Sequence, residues 1–220
     1  MEEMKTERHF KLTDQTLNYD GATLHRIEAL VDLPQHNVKK GDLGGFVERA
    51  DNLRDEAWVA SNAMVYDNAE VYGNAIVSDN AAIYERAQVY GDANVSGNAT
   101  VYGTAKVCGD ACIYDSAKVC GNAVVFDDAQ VYENAKVSGK AIVNVSAKVY
   151  GNAHVTDNAY ITDRAKVYGS AHVYENAHIC DSAWVYGSSW VYGNVHVCET
   201  VRIDGNSILR GNIAIRTITV

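Results

Sequence analysis

The sequence predicts an all-β chain wound as a triangular prism of stacked short parallel strands, a β-helix, closed at its amino-terminal end by a small β-hairpin cap. Three observations predict it. An aliphatic residue recurs at every sixth position from Val47 to Ile215 without a slip. Alanine stands two residues before it at every step from Ala57 to Ala183. Gly, Asp or Glu followed by Asn, Asp, Ser or Arg fills most of the intervals.

The unit reads A-x-V-Y-G-N, as in "AEVYGN" and "AKVYGN". Alanine and the aliphatic residue, two apart, point to one side of an extended segment, and the residues flanking the aliphatic one point outward. Gly and Asn tolerate positive φ, so the chain can turn every six residues. A helix is excluded because period six smears apolar residues around a helical wheel, and a five-residue prism is excluded by the period itself. Three segments close a coil of 18 residues, giving about nine coils over residues 47–215 and, at the strand spacing of about 4.8 Å, a rod of about 45 Å. Composition agrees: one proline and three phenylalanines cannot describe an ordinary globular core, whereas 14 tyrosines suit outward rows.

Residues 1–46 lack the repeat and form a separate cap ahead of the β-helix of residues 47–220. Two extended stretches flank Asp20-Gly21, a strong hairpin signal. An open β-helix end exposes strand edges and apolar interior, so a cap is expected there.

Cys108, Cys112, Cys120, Cys180 and Cys198 are odd in number and show no C-x-x-C or zinc-type spacing. They read as free thiols in a reducing cytosol. No apolar run opens the chain, and none reaches the roughly 18 residues of a membrane span, so the expectation is a soluble cytoplasmic protein without a membrane partner. A net charge of −9 argues against nucleic acid as a partner.

Over about three quarters of its length the chain resembles the left-handed parallel β-helix of hexapeptide-repeat proteins, and the left hand is implied by that likeness alone. Arg26-Ile27-x-Ala29-Leu30, Val38-Lys39-x-Gly41, Leu43-Gly44-Gly45-Phe46 and Asn52-Leu53, with Trp58 opening the coils, further resemble the start of the YdcK-like group. These are bacterial, phage and prophage proteins often labelled transferases or acyltransferases. The fold likeness implies an acyltransferase alternative, in which a histidine at a cleft between subunits of a trimer acts as general base. Such enzymes interrupt their coils with a loop; an unbroken register leaves no room for one.

His154, His172, His178 and His196 are the bases available to that alternative, all in the outward slot before the aliphatic residue. Sorted by 18, His154 stacks on His172 and His178 on His196. Outward histidines are ordinarily solvated, and zinc wants three or four ligands where a two-residue column supplies half. No metal or cofactor is expected, and no phosphate loop or nucleophile elbow is present.

The outward rows carry the remaining signal. One face aligns Lys148, Lys166, Trp184 and Arg202 beside Tyr114, Tyr132, Tyr150, Tyr168 and Tyr186; a second aligns Lys118, Lys136, His154, His172 and Trp190; the third aligns Tyr160, His178 and His196. Acidic residues sit at corners instead. Two readings of the tyrosine ladder stand: side chains stacking in register to cover backbone, or a contact surface for a homo-oligomer, a trimer in this fold. A groove for a small anionic ligand such as a signalling nucleotide is a third. The mixed outward columns exclude an ice-binding array. Near the end, Ser189, Val195, Val201, Ser207 and Ile213 replace alanine, which suggests altered final coils. The sequence therefore points to a non-catalytic, homo-oligomeric binding or scaffold protein.

Overall fold

The structure is a computed structural model and describes residues 8–216. Strands β1 (Phe10–Tyr19) and β2 (Ala22–Ala29) form an antiparallel hairpin. Its turn uses Asp20 at φ 49° and Gly21 at φ 82°, the double positive φ that matches strand twist. Strand β2 pairs antiparallel with β3 (Leu43–Val47), and β3 pairs in parallel with Met64–Val65. The cap thus enters the prism by extending one of its sheets.

From β4 (Trp58–Val59) to β30 (Ala214–Ile215), 27 two-residue strands follow at six-residue intervals. They fall into three sheets, in which each strand pairs with the third strand after it, its equivalent one coil on. Lys148 lies opposite Lys166 and Val149 opposite Val167, with Lys148 N donating to Ala165 O at 2.9 Å. The first sheet includes β1–β3 and runs to Ile208–Leu209, the second runs from β4 to Arg202–Ile203, and the third runs from Glu70–Val71 to β30. The parallel β-solenoid of about nine three-stranded coils is therefore present, with the hairpin at its start. Among the described residues there is no α-helix, and no helix is long and apolar enough to cross a membrane.

The inward rows are sealed. At six-residue steps, each alanine from Ala57 to Ala183 and each aliphatic residue from Val47 to Val197 is at most 1% exposed. Each buried valine is worth about 1.5–3 kcal/mol relative to exposure. Alanine fits the corner because a coil closing on itself leaves little volume there. The late substitutions are absorbed at first: Ser189 is fully buried with its Oγ donating to Tyr186 O at 2.6 Å, and Val195 is fully buried. Beyond them the row opens, and Ile213 is 40% exposed.

The corners explain the position of the acids. The first corner residue adopts positive φ whether it is Gly, Asp or Glu, and even at Val145, where φ is 59°. In eight corners an aspartate one coil earlier accepts the N–H of that residue. Asp127 Oδ2 takes Val145 N at 3.2 Å, and Asp163 Oδ2 takes Asp181 N at 3.0 Å. The next slot builds amide ladders, as from Asn158 to Asn176 to Asn194 at 3.1 and 3.0 Å. Corner carboxylates thus hydrogen-bond backbone groups that no strand neighbour reaches.

The cap leans over the first sheet rather than merely ending the rod. Leu24 packs on Tyr66 and Ala82, and Tyr19 meets the Tyr66 ring edge-on at 5.8 Å. Phe10 and His9 cover Trp58, which is 2% exposed although it occupies an outward slot. Gly44 and Gly45 let the strand pass: a Cβ at either would stand 2.5 Å from a backbone oxygen, of Val59 and Ala63 respectively.

Not every outward residue is exposed, and one expectation needs correction. Asn144, Thr162, Cys120, Cys180 and Cys198 are buried, because small side chains in an outward row are shaded by larger neighbours above, below and across the strand. Cys180 and Cys198 are not free thiols but a disulfide with Cα atoms 4.7 Å apart. They occupy one slot in successive coils, which brings their Cα atoms within the range a disulfide spans. Cys108, Cys112 and Cys120 lack a cysteine in the same slot of an adjacent coil and stay free.

Candidate functional site

On the second sheet the tyrosine column is a continuous stack. Tyr114, Tyr132, Tyr150, Tyr168 and Tyr186 follow one another at ring distances of 4.8–4.9 Å and interplanar angles of 1–3°. Parallel pairing in strict register places equal residues one strand apart, so the rings adopt one rotamer and lie face to face. All five are half-buried. Burial, reinforced by Tyr132 and Tyr168, pushes the Tyr150 hydroxyl up to about 12. At the foot of the column the Tyr186 hydroxyl donates to Asp204 Oδ2 at 3.4 Å.

Beside the stack, Trp184 is sandwiched by cations. Lys166 Nζ lies 4.5 Å from the ring centroid, and the Arg202 guanidinium lies 4.5 Å away. Tyr168 adds an edge-on contact at 6.2 Å. Lys148 precedes Lys166 in the same column. This face brings Tyr114, Tyr132, Tyr150, Tyr168, Tyr186, Lys148, Lys166, Trp184 and Arg202 together as one flat surface.

The first sheet carries Lys118, Lys136, His154, His172 and Trp190 in register. His172 stacks on Trp190 at 4.6 Å, and Tyr174 meets that ring edge-on at 6.0 Å. Trp190 is 44% exposed and Ile208, next in the column, 64%. Partial burial, then His172 and Lys136, hold His154 below the ordinary imidazole value. Shorter tyrosine stacks, Tyr66–Tyr84–Tyr102 and Tyr72–Tyr90, continue the theme toward the cap.

On the third sheet Tyr160, His178 and His196 align, with His178 at 4.9 Å from Tyr160 and 5.2 Å from His196. Burial and His196 lower the His178 pKa, while the corner carboxylates Asp163 and Asp181 act the other way. The structure therefore separates the four histidines into two pairs on different faces. Two surface depressions lie elsewhere, along the edge between first and third sheets. One of about 530 Å³ includes Asp67, Glu85, Arg86 and Thr104, and one of about 590 Å³ includes Lys140, Asp157 and Glu175. Neither takes in a histidine or a tyrosine.

Sequence reasoning missed the cysteine pair and the corner aspartates' role. The signal for both was the same coil-to-coil spacing that revealed the tyrosine column.

No curated protein matches the chain at a significant level. A family model described as YdcK Beta solenoid repeat matches residues 87–103, close to one coil. With three sheets of parallel strands stacked coil on coil to either side of that segment, the chain is a β-solenoid carrying a YdcK-type repeat.

Proposed function

We propose that the protein is a non-catalytic binding or scaffold module that associates with copies of itself, as a trimer, through the tyrosine-bearing face of the second sheet. The observation that supports this reading is the unbroken five-ring stack flanked by Lys148, Lys166, Trp184 and Arg202. Rigid aromatic rings held by their neighbours lose little further entropy on contact, which is why Tyr, Trp and Arg are enriched at interfaces. A second copy also fits by charge: the face is basic, while the edges of the same prism carry the corner acids.

Light scattering on the purified chain tests it. The expected mass is three times the 24.0 kDa of the chain, falling to the monomer when Tyr150 and Tyr168 are both replaced by glutamate. A monomeric wild type at tens of micromolar overturns the reading.

A small anionic ligand at the subunit boundary is a finer form of the same reading. Lys148 supplies charge beside Tyr150, whereas both faces of Trp184 are already taken by Lys166 and Arg202. Thermal shifts with nucleotides and cyclic dinucleotides check it, and no stabilisation by any of them removes it.

A further inference from the structure

The third sheet carries a donor set of which neither column shows more than half. His178 and His196 pair in register on neighbouring strands. Cys180 and Cys198 follow each of them by two residues, and residues two apart on a strand share a face. The motif H-x-C, repeated one coil later, therefore presents two imidazoles and two sulfurs on one side of one sheet.

Asp181 joins the two sulfurs in a three-member group that includes neither histidine. One carboxylate oxygen and the sulfurs of Cys180 and Cys198 all lie within 4.8 Å of one another. The Asp181 carboxylate is already oriented, because its Oδ2 accepts the Glu199 N–H at 2.8 Å. A hydrogen-bonded ligand of this kind is what a metal site uses to fix its geometry. A second observation points the same way. His178 Nε2 is buried and has no hydrogen-bond partner, a state a native polar atom rarely keeps unless something else satisfies it.

We propose that, with Cys180 and Cys198 as thiols, this cluster binds one zinc-class divalent cation through both sulfurs and the Asp181 carboxylate, with an imidazole of the adjacent His178–His196 pair turning in as the fourth ligand. Two thiolates with imidazole select Zn²⁺ over Mg²⁺ or Ca²⁺, which take oxygen donors. Four ligands satisfy its tetrahedral preference, at about 2.3 Å to sulfur and about 2.0–2.1 Å to nitrogen. Binding releases the two thiol protons to solvent and transfers no electrons. The disulfide uses the same two sulfurs, so the oxidised chain cannot bind in this way. The proposal is independent of self-association, which concerns a different sheet.

Cobalt(II) titration tests it. The chain is reduced with a phosphine, the reductant is removed anaerobically, and absorbance is followed. The expected result is one cobalt per chain with thiolate-to-metal charge transfer and tetrahedral ligand-field bands, abolished by added zinc. The disulfide-bonded chain should show neither band. The C180S/C198S variant should lose the bands and keep its fold by circular dichroism, since serine already stands at Ser96 and Ser138 in equal slots. The C108S/C112S/C120S variant should keep them, and H178A/H196A should bind at least tenfold more weakly. Reduced wild type without the charge-transfer band overturns the site, as does a band that survives C180S/C198S. Unchanged affinity in H178A/H196A overturns the imidazole ligand.

Discussion

The Asn52 side-chain amide donates to the Ala69 carbonyl at 2.8 Å, where each following coil of that sheet uses a backbone N–H, such as Glu70 N to Ala87 O at 3.0 Å. The backbone N–H of Asn52 is turned aside to Arg49 O, so the carboxamide replaces the missing rung. It also donates to Asp67 O at 3.1 Å and accepts Arg49 N at 2.9 Å, and the residue is 1% exposed. At the edge of the third sheet this side chain supplies one rung, beside the Leu53–Val71 bridge and the bond from Arg54 N to Val71 O at 3.0 Å.

Asn52→Ala strands the buried Ala69 carbonyl, and such a loss costs about 1–3 kcal/mol. Chemical denaturation should show a stability loss of that size, with faster amide exchange over residues 53–72. Aspartate cannot donate and should be no better. An alanine variant as stable as wild type would mean that the edge is closed by other means.

Val145 holds φ 59° at a corner. A β-branched residue is poorly suited to the left-handed region, at a cost of about 1–2 kcal/mol. Its side chain is 39% exposed and adds little packing. Val145→Asn should therefore stabilise the chain by about 1 kcal/mol, read as a higher denaturation midpoint at unchanged slope. The Asp127 carboxylate that accepts the Val145 N–H is unaffected by the change, whereas Asp127→Ala should destabilise by about 0.5–1.5 kcal/mol.

His9, His154 and His178 are all held below the ordinary imidazole value, in each case chiefly by burial. The unfolded chain then binds more protons than the folded one once pH falls below about 6.5. Their contribution is intact above that value and is lost as pH drops through the folded values. Thermal midpoints measured with a chelator present should fall from pH 7 to pH 5. The H154Q/H178Q variant should show a shallower fall; an equal or steeper one would assign the sensitivity to other groups.

The architecture is legible because one number, 18, fixes it: any slot predicts its own neighbours. The same arithmetic aligned Tyr114 through Tyr186 and placed Lys166 and Arg202 on either side of Trp184. What it left open was the content of rows taken singly. Cysteines judged by local spacing look unpaired, yet Cys180 and Cys198 meet because the fold turns a separation of 18 residues into 4.7 Å between Cα atoms. Corner aspartates read as surface charge until the backbone N–H one coil on is seen to need an acceptor. The lean of the hairpin over Tyr66 and Ala82 depends on cap packing that no periodicity encodes.

Deletions separate register from composition. Removing residues 151–168 joins Tyr150 to Gly169 and excises one whole coil. Every column stays aligned, with Tyr186 now stacked beneath Tyr150, so the variant should melt cooperatively and still self-associate. Removing residues 151–162 keeps the six-residue phase, and the inward rows stay apolar. All later coils are nevertheless displaced by two faces, which puts Cys180 and Cys198 in the column after Tyr150 and cuts the tyrosine stack. That variant should fold but elute as a monomer, because Tyr168 and Tyr186 then stand on another side. Removing residues 151–167 shifts the phase by one, driving later outward side chains into the core. It should lose cooperative unfolding in the carboxy-terminal half. A twelve-residue deletion that assembles as well as the whole-coil deletion would separate self-association from the tyrosine face, while a folded seventeen-residue deletion would contradict the inward packing itself.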